Sequence, residues 1–498
     1  MKKNNNISIN TITSLLVQLV VTIQGLIIPR IMLVYFGSGI NGLVSSMTQY
    51  LNLFAIMEGG ISGVILASLY KPLSEKDNMK LSEVLVSANN FMKKLGIMFA
   101  GYAVILAVVY PIFVKTYHCF FSFSLTVIIA LAIFAQYFFT LIPQLLLRAD
   151  DKFYICNFIQ IVFIIFNILL SIFSVKVYPE VRSLKLLSSL VYLIQPFLLT
   201  QYIKKNYNID WKANPDKTLL KQRWDGFGIS LANMVTTNTD VIVLTALSNL
   251  ETVSVYTIYS QILVAIKGLV NSVSNGFQAQ IGLLYAEKKS RELDNCFFKY
   301  EFITNFVSGI LITCCSEVIV PFILIYTNGV NDVNYNVPMF AFLITLSILF
   351  ICIREPYIQL TYCAGYFKET SKYAYVEAVV NILVSILLVI KCGLIGVAIG
   401  TIVSILYRYF FTVIFIKNNN ILKRNMMSYL KQFVVELLAF FLAYGIAYFN
   451  NCLSINNVFI WILRSSECIF INIIVFSVIN YIFYKEYIIG LYKTILKK

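Results

Sequence analysis

Apolar residues in this chain neither alternate with polar ones nor keep to one helical face. They come in long unbroken runs separated by short polar stretches. A helix needs roughly 20 mostly apolar residues to cross a bilayer, and a membrane strand about 10 in strict alternation. The pattern therefore predicts a polytopic α-helical membrane protein, since a helix satisfies its own backbone in hydrocarbon. Fourteen runs stand at 8–36, 40–70, 91–114, 121–147, 153–175, 186–203, 226–248, 253–285, 299–326, 336–364, 373–390, 393–416, 430–449 and 456–484. The first follows a short polar start and has no A-x-A site behind it, so it reads as a retained helix rather than a cleaved signal.

Fourteen spans put both ends of the chain on one side. Taking alternate connections, one set carries 26 Lys and Arg and the other carries 5. The basic excess marks the cytoplasmic side, which predicts cytoplasmic termini. It also accounts for the net charge of +15. The charges are spread over many separate loops, so they do not form a nucleic-acid surface.

Composition narrows the chemistry. Apolar residues make up 59% of the 498 and charged ones 13%, which excludes a cytosolic enzyme, a disordered chain and a nucleic-acid module. The 10 cysteines stand singly apart from Cys314-Cys315, with no C-x-x-C, and read as reduced thiols in apolar surroundings. A single histidine, His118, argues against histidine metal sites and Ser-His triads, and no Gly-Lys dipeptide is present to make a phosphate-binding loop. No catalytic residue, metal or cofactor is expected, and the external loops are too short for a catalytic domain. The expected class is a membrane protein that is not an enzyme.

The chain carries a faint internal repeat. Leu69-Tyr70-Lys71 and its charged continuation are echoed by Leu284-Tyr285-Ala286-Glu287-Lys288-Lys289, at an offset of 215 from Tyr70 to Tyr285. Each expected unit holds six helices, an even number, so the two are parallel repeats about an axis along the membrane normal. The expected organisation is an N-lobe at 1–203 (helices 1–6), a cytoplasmic connection at 204–225, a C-lobe at 226–416 (helices 7–12), and a loop with helices 13 and 14 at 417–498.

An ionisable group at the bilayer centre costs about 2.5–3.5 kcal/mol on insertion scales, so each one inside a run is a candidate site. Arg30, Glu58, Asp240, Lys267, Glu317, Arg354 and Glu355 stand inside runs, with Arg30 placed just after an expected kink at Pro29. Arg464 and Glu467 are three apart and read as an internal ion pair. Ser260, Lys267, Asn271, Ser274 and Gln278 fall on one helical face, and Ser230, Asn233, Thr237 and Asp240 on another. Arg30, Lys267 and Arg354 are staggered through the membrane thickness. They could hand an anion along, or each could be neutralised by Glu58, Asp240, Glu317 or Glu355. The candidate substrate contacts are Arg30, Lys267, Arg354, Asn271, Ser274 and Gln278. Asp240 and Glu58 are the candidates for a step coupled to H⁺ or Na⁺.

Three stretches resemble a known family. Ile28-Pro29-Arg30 through Gly37-Ser38-Gly39-Ile40-Asn41-Gly42 is similar to its helix 1–2 junction. Asn238-Thr239-Asp240 followed by Val253-Ser254-Val255-Tyr256 resembles its helix 7–8 junction, and Asn381 with Cys392-Gly393 through Gly400-Thr401 its helix 11–12 hairpin. The family is the polysaccharide flippases (Wzx-like) of the multidrug/oligosaccharidyl-lipid/polysaccharide exporter superfamily, and the likeness covers roughly residues 8–416. Arg30 departs from it by standing about one turn deeper than the family's helix 1 arginine. The resemblance implies two lobes alternating access around a cationic cavity. It also implies a bacterial cell-membrane location and an undecaprenyl-diphosphate-linked oligosaccharide moved from the inner to the outer leaflet for capsule or other surface polysaccharide. Implied partners are that lipid-linked oligosaccharide, membrane lipids, H⁺ or Na⁺, and a polysaccharide polymerase. Two other functions stay open. A cation-coupled multidrug exporter of the same superfamily would favour carboxylates over deep cations. A membrane-embedded polysaccharide polymerase or ligase would need a large external loop.

Overall fold

A computed structural model describes the backbone of residues 2–58, 61–215, 238–449, 455 and 457–495. Within them the fold is all helical, with no strand. The helices are α1 (Lys2–Asn52), α2 (Ile61–Glu75), α3 (Asn78–Phe113), α4 (Cys119–Ala135), α5 (Leu141–Ala149), α6 (Phe153–Val177), α7 (Val181–Asn206) and α8 (Asn238–Leu247). They continue as α9 (Leu250–Ala286), α10 (Ser290–Tyr326), α11 (Pro338–Cys363), α12 (Phe367–Cys392), α13 (Leu394–Asn418), α14 (Met426–Phe449) and α15 (Val458–Ile495). Among the described residues, 12 helical stretches are long and apolar enough to cross a membrane. The chain is a multi-pass membrane protein.

The fourteen runs map onto these helices with informative departures. The first two are joined in α1, which passes through Pro29 with helical geometry and breaks instead at Gly37, where φ is 81°. A left-handed φ is open to glycine at little cost, so the break falls on the residue that tolerates it. The second run is interrupted again by a tight 3-10 turn at Leu53–Glu58 before α2. The fourth run is split by one π turn, Gln136–Thr140, between α4 and α5. The seventh is described only in its last part, α8.

The chain divides into two compact units, Met1–Ser254 and Val255–Lys498. In the first, α1 packs on α6, α4 on α3 and α7, and α2 on α3 and α5. In the second, α12 packs on α13, α11 on α10 and α13, and the last two helices on each other and on α10. The outward faces are apolar, as with Phe158, Leu169 and Phe173 of α6. Large apolar side chains such as Leu43, Met47 and Phe99 fill the contacts between helices. Because lipid is as apolar as leucine, small and polar residues add the close approaches and hydrogen bonds that fix them. Asn157 donates to the hydroxyls of Thr13 (3.0 Å) and Ser14 (2.9 Å), and Tyr110 and Thr245 both donate to Ser46 (2.8 Å each). Gly42 lies flat against the backbone carbonyl of Leu250, and the neighbouring Asn41 donates to Ser254 at 2.8 Å. In the α12–α13 hairpin Gly400 abuts Ser385, and the Asn381 amide donates to Thr401 at 3.2 Å.

Polar anchors fix the connections. Asp77 caps α3 by accepting from the backbone of Met79 (3.1 Å) and Lys80 (3.0 Å). After α5, Asp150 takes the Lys152 ammonium at 2.7 Å and the Tyr207 hydroxyl at 2.5 Å, tying the end of α7 to the start of α6. Burial, and then the Asp150 carboxylate, push the Tyr207 phenol above its ordinary range.

Candidate functional site

The second unit gathers charge where the apolar runs of α9, α11, α12 and α13 meet. Glu377 of α12 is 2% exposed and sits between two guanidinium groups. Arg354 of α11 donates to one of its oxygens, and Arg408 of α13 to the other at 2.7 Å. Arg408 also donates to the Tyr362 hydroxyl at 3.1 Å, and the Tyr362 ring stacks on Phe367. One carboxylate thus faces two cations, and the Nε–H of Arg354 is buried with no hydrogen-bond acceptor. Buried charge is tolerable when paired, but this triad keeps a surplus of one positive charge.

Lys267 of α9 joins the same neighbourhood. Its ammonium, Arg354 and Glu355 are all within electrostatic reach of the Cys352 thiol on α11. Lys267 is half-buried, and within its own unit no described carboxylate stands within 4.0 Å of it. A polar thread then runs between α9 and α11: Gln278 donates to Gln359, and Gln359 donates to Glu355 at 2.7 Å. Because α9 is one continuous helix, Lys267, Asn271 and Gln278 keep the shared face that their spacing predicts. Asn271 is half-buried and Gln278 is exposed.

The remaining expected site residues are placed as follows. Arg30 lies on α1 and is half-buried. Asp240 is 5% exposed on α8, in the first unit. Ser230, Asn233 and Thr237 lie outside the described residues, as do the side chains of Glu58 and Ser274. Arg464 and Glu467 form the expected pair at 2.8 Å. The sequence pattern assigned Arg354 a choice among Glu58, Asp240, Glu317 and Glu355, whereas its partner is Glu377.

Glu377, Arg408, Glu301 and Glu436 are not among the expected residues, although each is a charge inside an apolar run. Glu301 of α10 is fully buried, takes Arg424 at 2.6 Å and accepts from Tyr357. Arg424 also lies over Phe297 (5.3 Å) and Phe298 (5.4 Å), and so clamps the α13–α14 connection onto α10. In the first unit a separate cavity of about 320 Å³ opens beside the π turn, between α3, α5 and α7, with Lys93, Lys204 and Trp211 on its wall.

The arrangement of helices is similar to that of several solved membrane transporters. A solved structure of the lipid II flippase MurJ in an inward closed conformation superposes with a TM-score of 0.69 at 18% identity, over 96% of this chain and 99% of that one. An inward-facing multidrug resistance MATE family transporter of the MOP superfamily gives 0.64 at 13% identity, over 81% and 98%. The MATE multidrug transporter DinF-BH gives 0.63 at 14% identity, over 84% and 96%. At these identities the likeness establishes the fold. No protein-family model and no curated protein sequence matches the chain.

Proposed function

We propose that the protein is a flippase. It carries an undecaprenyl-diphosphate-linked oligosaccharide repeat unit from the inner to the outer leaflet of a bacterial cell membrane, by alternating access of its two lobes. The observation that carries this reading is the surplus of positive charge deep in the second unit: Lys267, and two arginines sharing one glutamate. A diphosphate is the part of such a substrate that cannot enter hydrocarbon, and buried guanidinium and ammonium groups are what it needs. Asn271 and Gln278, on the same face as Lys267, supply donors and acceptors for sugar hydroxyls.

The extent of the fold likeness favours a lipid-linked substrate over a drug. The MurJ likeness leaves only 4% of this chain uncovered, so it takes in part of α14 and α15. The MATE likenesses cover 81–86% of the chain. Both termini and the basic loops are cytoplasmic in this proposal, which places the lipid-linked substrate on the basic side before transport. Asp240 and Glu58 remain the proposed coupling residues.

Deletion in the native bacterium tests the reading. The strain should lose a surface polysaccharide and accumulate its lipid-linked repeat unit on the inner leaflet. Restoration should follow from the wild-type gene and fail with Lys267→Ala or Arg354→Ala, both inserted at wild-type levels. A deletion strain with intact surface polysaccharide and new sensitivity to cationic dyes would instead support the drug exporter.

A further inference from the structure

A second line of ionisable groups runs through the seam of α10, α14 and α15, away from the charges assigned to the substrate. Glu436 of α14 is 3% exposed. Its Oε1 is pressed against Gly309 of α10, where a Cβ would overlap it and the Phe476 ring, and it has no hydrogen-bond partner. Two turns further along α10 stands Glu317, whose Oε1 is likewise buried and without a partner. Its other oxygen takes the Asn472 amide at 3.5 Å, and the Cys468 thiol also donates to the carboxylate.

Several other polar atoms in this part of the molecule are also unmatched. Asn305, one turn from Gly309, is 2% exposed and neither of its amide atoms has a partner. The Asn472 carbonyl and the Tyr484 hydroxyl are buried and unpartnered as well. Tyr484 of α15 is within electrostatic reach of both Glu436 and Glu301, so it bridges the inner part of the line. At the other end Arg464 is within reach of Glu317 and pairs with Glu467, whose side chain is 41% exposed. From Glu301 through Gly309 to Glu317 is 16 residues of one helix, about 24 Å, most of a bilayer core.

The same unit shows how a buried structural carboxylate is stabilised here. Glu301 has Arg424 and Glu377 has two arginines. Glu436 has no cation, and the titratable neighbours facing it are the Tyr484 phenol of α15 and, beyond that, the Arg424-bound Glu301 of α10. Facing Glu317 are Cys468 and Arg464 of α15, Tyr444 of α14 and its own neighbour Cys314. An ionised carboxylate left alone in such a place costs several kcal/mol. Taking up a proton removes that cost at a buried carboxylate with no ion pair.

We propose that the α10/α14/α15 seam is a proton-binding path, in which Glu436 and Glu317 hold protons and exchange them with water reaching Glu467 on one side and the Glu301–Arg424 pair on the other. The unpartnered Asn305, Asn472 and Tyr484 atoms are spread along the path, where each could bond an ordered water. It shares no ion pair with Lys267 or the Arg354–Glu377–Arg408 triad, so it stands whether or not the flippase reading holds.

The test uses the full chain in liposomes with no lipid-linked substrate present. Infrared spectra at neutral pH should show carbonyl bands of protonated carboxyl groups that shift to lower frequency in D₂O. One band should vanish in Glu436→Gln and another in Glu317→Gln, with both intact in Glu287→Gln, a change in an exposed loop. Glu436→Gln should also unfold no more easily than wild type, because a neutral isostere replaces a neutral acid. Absence of such bands in the wild type, or their survival in both variants, overturns the proposal. So does a Glu436→Gln protein destabilised as a broken ion pair would be.

Discussion

Replacing Glu377 by Gln keeps the shape of the side chain and removes the one negative charge between Arg354 and Arg408. The side chains of the three residues are 2%, 10% and 5% exposed, so no bulk water can take over the role of the carboxylate. Breaking a buried pair by removing one partner costs about 3–5 kcal/mol, chiefly because the other charge stays behind. Here two guanidinium groups stay behind, facing each other, which puts the expected loss at the upper end of that range. Equilibrium unfolding of the purified protein in detergent reads it directly. The exposed Glu287–Lys289 pair, at 2.8 Å with side chains 41% and 50% exposed, is the control, and Glu287→Gln should be indistinguishable from wild type. Removing the surplus cation as well, in Glu377→Gln with Arg408→Gln, should recover roughly 1–3 kcal/mol of the loss as a coupling energy. A Glu377→Gln protein as stable as wild type, or a double variant no better than the single one, would refute the claim that this carboxylate holds two buried cations.

Arg424→Ala should strand Glu301 and loosen the α13–α14 connection, costing about 3–5 kcal/mol and opening residues 419–425 to protease. Gly42→Ala drives a methyl group into the Leu250 carbonyl and should destabilise by about 1–3 kcal/mol in the same unfolding assay. Cys119 and Cys392 are exposed at the ends of α4 and α12. In the proposed topology both ends are external, so an impermeant thiol reagent added to whole cells should label each. In a background lacking them and Cys452, Asn331→Cys should label and Lys212→Cys should not. The reverse pattern would invert the topology.

The helical class was legible because a membrane span is written in one dimension: an uninterrupted apolar run announces its own length. Charges inside the runs were legible in part, with Glu377, Arg408, Glu301 and Glu436 passed over, and a partner was legible only along one helix, as for Arg464 and Glu467. Arg354 and Glu377 are 23 positions apart on different helices, and no spacing rule reports which helices adjoin. The kink at Gly37 rather than Pro29 has a similar origin. Proline in a membrane helix can be absorbed by neighbours, whereas a left-handed φ must fall on a residue that permits it. The α9 polar stripe was predictable because period 3.6 survives in any straight helix. The α10/α14/α15 seam was not, since Glu436, Asn305 and Tyr484 share no run.

The proposed flippase activity rests on the deep cations of the second unit. The most direct measurement is flipping of an undecaprenyl-diphosphate-linked oligosaccharide in proteoliposomes, read by the fraction of sugar accessible to an external lectin over time. Wild-type protein should move the lipid across the bilayer, Lys267→Ala and Arg354→Ala should lose this with normal reconstitution, and cationic dyes should not be carried. Dye transport without movement of the lipid-linked sugar, or flipping unchanged in both variants, would contradict the proposed activity.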